Sequence, residues 1–130
     1  MKFRVSHYPQ IPCKAFEKEV SSLEEAKLVF DVLAEYDEFQ YRNRIKPDYS
    51  NCTVLEQFNE ETQEWEDWYD YDLDTDVLQE YFELKLEQLC EVLRPQYKEK
   101  MINEYYNKGL ITKEFYEEIL AKVNKEKNNE

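Results

Sequence analysis

Nine carboxylate side chains are concentrated in the middle of the chain, between Asn59 and Asp76. They are Glu60, Glu61, Glu64, Glu66, Asp67, Asp70, Asp72, Asp74 and Asp76, and no lysine or arginine lies among them. Carboxylates at this density repel one another, so a fold keeps them where water, a metal ion or a basic partner screens their charge. The segment is therefore a solvated surface, a cation site or a binding surface for a basic protein.

Aromatic side chains alternate with these acids at Trp65, Trp68 and Tyr69. Aromatic rings beside charged groups act as anchors in protein interfaces. We therefore take the nine carboxylates and these three rings as the candidate partner-binding site. In the sharpest interpretation, the carboxylates stand in for DNA phosphates and occupy the Lys/Arg cleft of a nucleic-acid-binding protein.

A calcium loop is the alternative that the spacing suggests. The four alternate aspartates from Asp70 to Asp76 follow the ligand positions of such a loop. Thr75, however, replaces its turn glycine, and Tyr81 replaces its bidentate glutamate. We predict no metal site.

The residues that common catalytic and cofactor sites need are scarce. Gly109 is the only glycine and His7 the only histidine, which excludes glycine-rich phosphate loops and His-rich zinc sites. Cys13, Cys52 and Cys90 are far apart in sequence, and no C-x-x-C pair exists. We predict no catalytic residues, no cofactor and no enzymatic activity.

The composition fits a compact acidic protein. The chain of 130 residues carries 17 Lys+Arg and 30 Asp+Glu, for a net charge of −13, and 42% of its residues are apolar. Its 7 Phe, 2 Trp and 11 Tyr provide enough apolar surface to offset chain entropy. A surface this negative repels nucleic acid and anionic membranes, so we expect a basic protein as partner and no direct binding to nucleic acid or membrane.

The N-terminal half has the pattern of a sheet with one helix. Alternating apolar residues predict strands over 2–8 and 15–20, and a hairpin formed by 52–58 and 65–69. Ser22 and Glu25 form a capping box before apolar residues at helical spacing, which predicts a helix from Leu23 to Tyr36. The polar stretch from 37 to 50, which contains Pro47, predicts an irregular connection.

From Asp74 onward, the apolar residues recur at the spacing of a helix. The acidic residues 74–76 predict the cap of a helix that ends before Pro95, a second helix ends near Gly109, and Thr112 begins a third. We predict an α+β fold, with a small N-terminal antiparallel sheet and one helix (1–73) followed by a mainly helical half of two to three helices (74–130). We expect the helical extension to pack on the first part as a single compact domain.

Several segments resemble a set of small proteins encoded by phages and prophages of Gram-positive bacteria. The segments are Met1 to Cys13, Ser22 to Ala26, Asp37 to Phe39, Ile45 to Tyr49 and Trp65 to Asp70. Members of this group are mostly without assigned activity and are sometimes labelled superinfection-immunity proteins. The resemblance implies a phage protein. The odd number of cysteines, with no signal peptide and no long apolar run, predicts a reducing setting, which for such a protein is the cytoplasm of the bacterial host. The resemblance covers about residues 1 to 72, so the helical region after Asp74 lies beyond it.

Two functional hypotheses follow. The first is a non-enzymatic inhibitor of a host defence nuclease, of the anti-CRISPR or anti-restriction type, whose acidic DNA-mimicking surface blocks the basic nucleic-acid-binding site of a CRISPR effector or restriction nuclease. The second is a superinfection-immunity or structural adaptor protein that acts through its C-terminal helices. Those helices also offer a surface for a homodimer.

Overall fold

The structure, a computed structural model, describes residues 2–46 and 51–128 and divides into two units, Met1–Trp68 and Tyr69–Glu130. The first unit contains a four-stranded antiparallel sheet and one helix, and the second contains three helices. The predicted α+β class, with a sheet and one helix followed by a helical half, is confirmed. The division follows Trp68, whereas the sequence pattern placed it after Leu73.

The sheet is built around its first strand. Its strands are β1 (Phe3–Tyr8), β2 (Phe16–Val20), β3 (Cys52–Asn59) and β4 (Glu64–Asp67), in the order β2-β1-β3-β4 with every neighbouring pair antiparallel. Val5 of β1 lies opposite both Lys18 of β2 and Leu55 of β3. Because side chains alternate across a strand, Val5 and Leu55 share one face of the sheet and are both buried there.

Helix α1 (Leu23–Arg42) begins as the sequence predicts. The Ser22 hydroxyl accepts the amide N–H of Glu25 at 3.1 Å, and the Glu25 carboxylate accepts the amide N–H of Ser21 at 2.9 Å. The first bond satisfies an N–H group that the first helical turn leaves without a partner, and the second fixes the residue that precedes the cap. Ala26, in the first turns, is completely buried.

The predicted end of this helix at Tyr36 is wrong, because residues 37–42 continue it. No glycine or proline interrupts this stretch, and Glu38 forms an ion pair with Arg42 one turn further on. The helix ends at Asn43, whose amide N–H donates to the Phe39 carbonyl oxygen at 3.0 Å. The rest of the predicted connection, residues 47–50, lies outside the described residues.

A buried polar cluster fixes the last turns of α1 to the sheet. Asp37 is 1% exposed, and its Oδ1 accepts a hydrogen bond from Nζ of Lys46 at 2.9 Å. Its Oδ2 lies 2.8 Å from Nε2 of His7 on β1, while Nδ1 of His7 lies 2.8 Å from the Thr53 hydroxyl on β3. The cluster therefore joins α1, two central strands and the residues that follow the helix.

The opposite face of the sheet carries a mixed layer of charged and aromatic side chains. Arg4 donates to the two Glu56 oxygens at 3.0 and 3.2 Å, and its guanidinium lies 4.5 Å from the Trp65 ring centre. Trp65 meets Phe58 edge to face at 5.3 Å. The planar guanidinium is suited to both contacts, because it binds carboxylates in a fork and stacks on aromatic rings. This layer joins β1, β3 and β4 across the face that α1 does not cover.

The second unit contains α2 (Leu78–Val92), α3 (Pro95–Asn107) and α4 (Lys113–Asn128). The expected cap at 74–76 is wrong, because Thr75 is paired with Asp70 in a turn and α2 begins only after Val77. The predicted boundary at Gly109 is confirmed, since this residue has φ +74°, in the region that glycine adopts without steric cost.

The helices of this unit enclose an apolar core of their own. Its buried members are Leu86, Ile102, Ile111, Ile119 and Val123. At its margin the Tyr116 hydroxyl donates to the Asn103 side chain at 2.6 Å, and Lys98 pairs with Glu126 at 2.8 Å. Along the stretches 2–46 and 51–128, no helix is long and apolar enough to cross a membrane.

We predict that Asp37→Ala destabilises the protein by about 3–5 kcal/mol, because it leaves Lys46 and His7 without their carboxylate in a buried site. The free energy of unfolding is measured by urea titration followed by circular dichroism. Glu35→Ala, an exposed substitution on the same helix, is the matched control and should change stability by less than about 0.5 kcal/mol. A loss of similar size in both variants would show that the buried cluster does not stabilise α1.

A second prediction concerns the stability of the fold at low pH. Burial raises the pKa of Glu56, but the hydrogen bonds from Arg4 and Ser6 outweigh it, and the net result is a pKa below the ordinary value of 4.5. The ionised carboxylate therefore contributes stability that is present above pH 4.5 and is lost as the pH falls through the lowered pKa.

Wild type should be more stable than Glu56→Gln at pH 7, and the difference should shrink as the pH falls below 4.5. Urea titrations between pH 7 and pH 3 measure it. The control, Glu61→Gln, removes an exposed carboxylate on the hairpin turn and should lie within about 0.5 kcal/mol of wild type at pH 7. A Glu56→Gln difference that does not vary with pH would contradict the prediction.

Candidate functional site

The nine carboxylates of the candidate site are divided between the two units. Five lie in the first unit, on the β3–β4 hairpin, and four lie at the start of the second, before α2. The hairpin group is Glu60, Glu61, Glu64, Glu66 and Asp67. The second group is Asp70, Asp72, Asp74 and Asp76.

The hairpin turn is held in place by Asn59. Its side-chain oxygen accepts the amide N–H groups of Glu61 at 2.9 Å and Thr62 at 3.2 Å, and its backbone carbonyl accepts the N–H of Gln63 at 2.8 Å. Gln63 has φ +58°, and its side-chain amide donates to the Glu60 carbonyl oxygen at 2.6 Å. Glu60 and Glu61 therefore project from a turn whose backbone is tied at several points.

On β4 the acidic side chains alternate between the two faces of the sheet. Glu64 and Glu66 lie opposite Asn59 and Gln57 on the face that α1 also occupies, whereas Asp67 lies on the other face with Glu56. Hydrogen bonds from the side-chain amides of Gln57 and Asn59 lower the pKa of Glu66. Two amide donors thus hold an ionised carboxylate in a fixed position.

Four of the five hairpin carboxylates therefore form one group at the end of the hairpin. We call Glu60, Glu61, Glu64 and Glu66 the hairpin acidic patch. Three of its members, Glu60, Glu61 and Glu66, border an open hollow of about 490 Å3 whose other walls are residues 57–59. A hollow with carboxylates on its rim can receive a cationic side chain of another protein.

The second acidic group lies on a compact turn. The backbones of Asp70 and Thr75 exchange hydrogen bonds of 2.9 and 3.2 Å, and the Asp70 carboxylate accepts the amide N–H of Leu73 at 2.8 Å. Asp74 has φ +53°, a conformation that aspartate tolerates better than most residues. Within the two described stretches, no three His, Cys, Asp or Glu side chains are grouped so that they could hold a metal ion.

The three aromatic members of the candidate site have different environments. Trp68 is only 5% exposed. Trp65 is half-buried under Arg4, and Tyr69 is half-buried and meets the exposed Tyr71 edge to face at 4.9 Å. Trp65 and Tyr69 therefore expose part of their rings to solvent, whereas Trp68 is a packing residue.

The histidine and cysteines are not arranged as a nucleophilic site. His7 is 3% exposed and bound within the Asp37 cluster, while Cys13 and Cys52 are exposed and form no disulfide. Burial raises the pKa of the Cys90 thiol, which lowers its thiolate content at neutral pH.

Sequence reasoning missed the Asp37 cluster and the Arg4–Glu56 pair. A signal for the first exists, because Asp37 falls at helical spacing with the half-buried Leu33 and Phe30 on the inner face of α1. A carboxylate on an apolar stripe calls for a basic partner. The Arg4–Glu56 pair depends on the pairing of β1 with β3, which residue types alone do not reveal.

Comparison with known proteins shows similarity to phage superinfection exclusion proteins. The family model described as superinfection exclusion gene product 17 matches residues 2–88. A superinfection exclusion protein of Salmonella phage P22 is 46% identical over 80 residues, an alignment covering 53% of this chain and 78% of that protein. Salmonella is Gram-negative, so the similarity extends beyond the Gram-positive phages named above. No solved structure matches the chain. The matched region contains the first unit from residue 2 onward, the acidic turn and most of α2, and the chain belongs to the phage superinfection exclusion family of gene product 17.

Proposed function

We propose that this protein acts in superinfection exclusion by binding a basic partner protein, without catalysis, through the hairpin acidic patch. The observation that carries the proposal is the position of this patch: an ordered, exposed group of carboxylates within the region that the exclusion family shares. The proposed place of action is the cytoplasm of the infected host. No nucleic acid, membrane or cofactor takes part in the proposed interaction.

The order of the hairpin favours binding over simple solvation. A carboxylate that is already held by Gln57 and Asn59, as Glu66 is, loses little conformational freedom when a lysine or arginine binds it. The hydrogen bonds that hold the turn likewise reduce the backbone freedom that Glu60 and Glu61 would lose on binding. The negative field of the patch also attracts a basic partner before contact and accelerates association.

The extent of the family match bears on the alternative, an adaptor acting through its C-terminal helices. The match ends at residue 88, within α2, and α3 and α4 lie beyond it. A function common to the family is therefore better assigned to the first unit and the acidic turn. The C-terminal helices are then an addition with a role of their own, such as packing α2 through the buried Leu86.

Inhibition of a defence nuclease by DNA mimicry has less support. The family and the P22 relative are both described by superinfection exclusion, and neither description mentions a nuclease. In addition, Asp67 lies on the sheet face opposite to Glu64 and Glu66, so the hairpin carboxylates do not follow one line. What we retain from that hypothesis is its electrostatic part, a basic partner for an acidic surface.

We predict that the triple substitution Glu60→Gln, Glu61→Gln and Glu64→Gln abolishes exclusion while the fold is kept. The three carboxylates are exposed, and glutamine removes the charge with little change of shape. The measurement is the plating efficiency of a panel of related temperate phages on cells that express the protein. For a phage that wild type excludes, plating should rise by about tenfold or more, since each lost charge contact weakens binding.

The matched control is the triple substitution Glu104→Gln, Glu114→Gln and Glu117→Gln. It removes the same charge from exposed positions on α3 and α4, outside the family match. The control should exclude phage as wild type does, at equal expression and with the same circular dichroism spectrum. If the control loses exclusion and the hairpin variant keeps it, the adaptor alternative replaces our proposal.

A further inference from the structure

Helix α1 exposes an apolar stripe on the side away from the sheet. The stripe consists of Leu28, Val32, Tyr36 and Phe39, which are 61%, 53%, 55% and 54% exposed. Their spacing of four, four and three residues places them on one helical face. The rings of Tyr36 and Phe39 are stacked, with centres 6.4 Å apart. The buried residues of the helix, Ala26 and Asp37 among them, lie on the other side.

The charged residues beside this stripe are opposite in sign at the two ends of the helix, so they can pair with those of a second, antiparallel copy of α1. Glu24 lies in the first turn and Arg42 in the last, on the same flank of the stripe. Two α1 helices packed antiparallel through the stripe, with a twofold axis near Leu33, bring Glu24 of each copy opposite Arg42 of the other. Arg42 then lies between Glu38 of its own helix and Glu24 of the second copy. The contact is isologous, as twofold interfaces are, and it forms both ion pairs at once.

We propose that α1 is a homodimer interface, in which the Leu28–Val32–Tyr36–Phe39 stripes of two copies pack antiparallel between reciprocal Glu24–Arg42 pairs. Val32 of one copy then packs near Tyr36 of the other, and Leu28 near Phe39. This surface differs from the C-terminal helices that the sequence suggested for self-association. The proposal is independent of the hairpin acidic patch, because it rests on α1 alone.

The same geometry predicts that the dimer is weak. Near the twofold axis, Glu35 of one copy lies beside Asp31 of the other, although Lys27 partly neutralises Asp31 through a 2.7 Å ion pair. Half of four large side chains amounts to roughly 400 Å2 per copy, below the roughly 800 Å2 of a standard interface. We expect a dissociation constant on the order of 10–100 μM.

Sedimentation equilibrium of the purified full-length chain between about 1 and 300 μM tests the proposal. The buffer contains about 0.15 M salt, at which a Debye length of about 8 Å screens the net charge of each copy. Wild type should show a monomer–dimer equilibrium. Val32→Glu should weaken it by about tenfold or more, since it places a charge in the apolar centre. Val92→Glu, the same change at a residue that is 80% exposed on α2, should leave it unaltered.

Charge exchange tests the antiparallel arrangement. Glu24→Arg and Arg42→Glu should each weaken the dimer, and the double variant should restore it, because both ion pairs form again with reversed sign. Glu35→Lys should strengthen it, because the antiparallel arrangement places the new lysine opposite Asp31 of the other copy. Circular dichroism confirms that each variant is folded.

Two results would overturn the proposal. One is a wild-type chain that remains monomeric up to about 300 μM, above the dissociation constant expected for a contact of this size. The other is a dimer that Val32→Glu leaves intact. Neither result would bear on exclusion through the hairpin, which the plating assay measures separately.

Discussion

The contact between Asp37 and its two basic neighbours is the constraint on which the first unit depends. An aspartate that is 1% exposed costs free energy unless polar or charged partners compensate it, and Nζ of Lys46 and Nε2 of His7 lie within 2.9 Å of its two oxygens. Because these partners come from the end of the helical segment and from β1, the cluster fixes both the roll of α1 and its distance from the sheet. The apolar stripe on the outer side of α1 is exposed as a consequence of that orientation.

The acidic surface is stabilised differently from the buried Asp37 cluster. Its carboxylates repel one another and stay exposed to water, while hydrogen bonds hold the backbone that carries them. Asn59 holds the turn, amide donors hold Glu66, and Arg4 neutralises Glu56 on the other face. The turn that carries Glu60 and Glu61 and the carboxylate of Glu66 are therefore held at fixed positions. A fixed negative surface suits selective binding of a basic protein, because little conformational entropy is lost on association.

Local signals in the sequence predicted much of this fold. The capping box at Ser22, the strand alternation in β1 and β3 and the glycine after α3 each depend on neighbours in sequence, and each prediction is confirmed. Errors arose where contacts that the apolar pattern does not show decide a boundary. Asp37 extends α1 because His7 and Lys46 bind it, and Thr75 delays α2 because it pairs with Asp70 in a turn. For the site, charge density identified the acidic segment. The faces on which Glu66 and Asp67 lie depend on strand register, which composition does not contain.

The proposed function requires that the hairpin acidic patch contact a basic protein during exclusion. Site-specific photo-crosslinking in infected cells tests it most directly, with the crosslinking amino acid placed at Thr62 on the hairpin turn or at Asn107 at the end of α3, both exposed. If the hairpin binds the partner, an infection-dependent crosslink forms from Thr62 to a basic protein and none forms from Asn107. A crosslink from Asn107 with none from Thr62 would contradict the proposed function and would assign partner binding to the C-terminal helices.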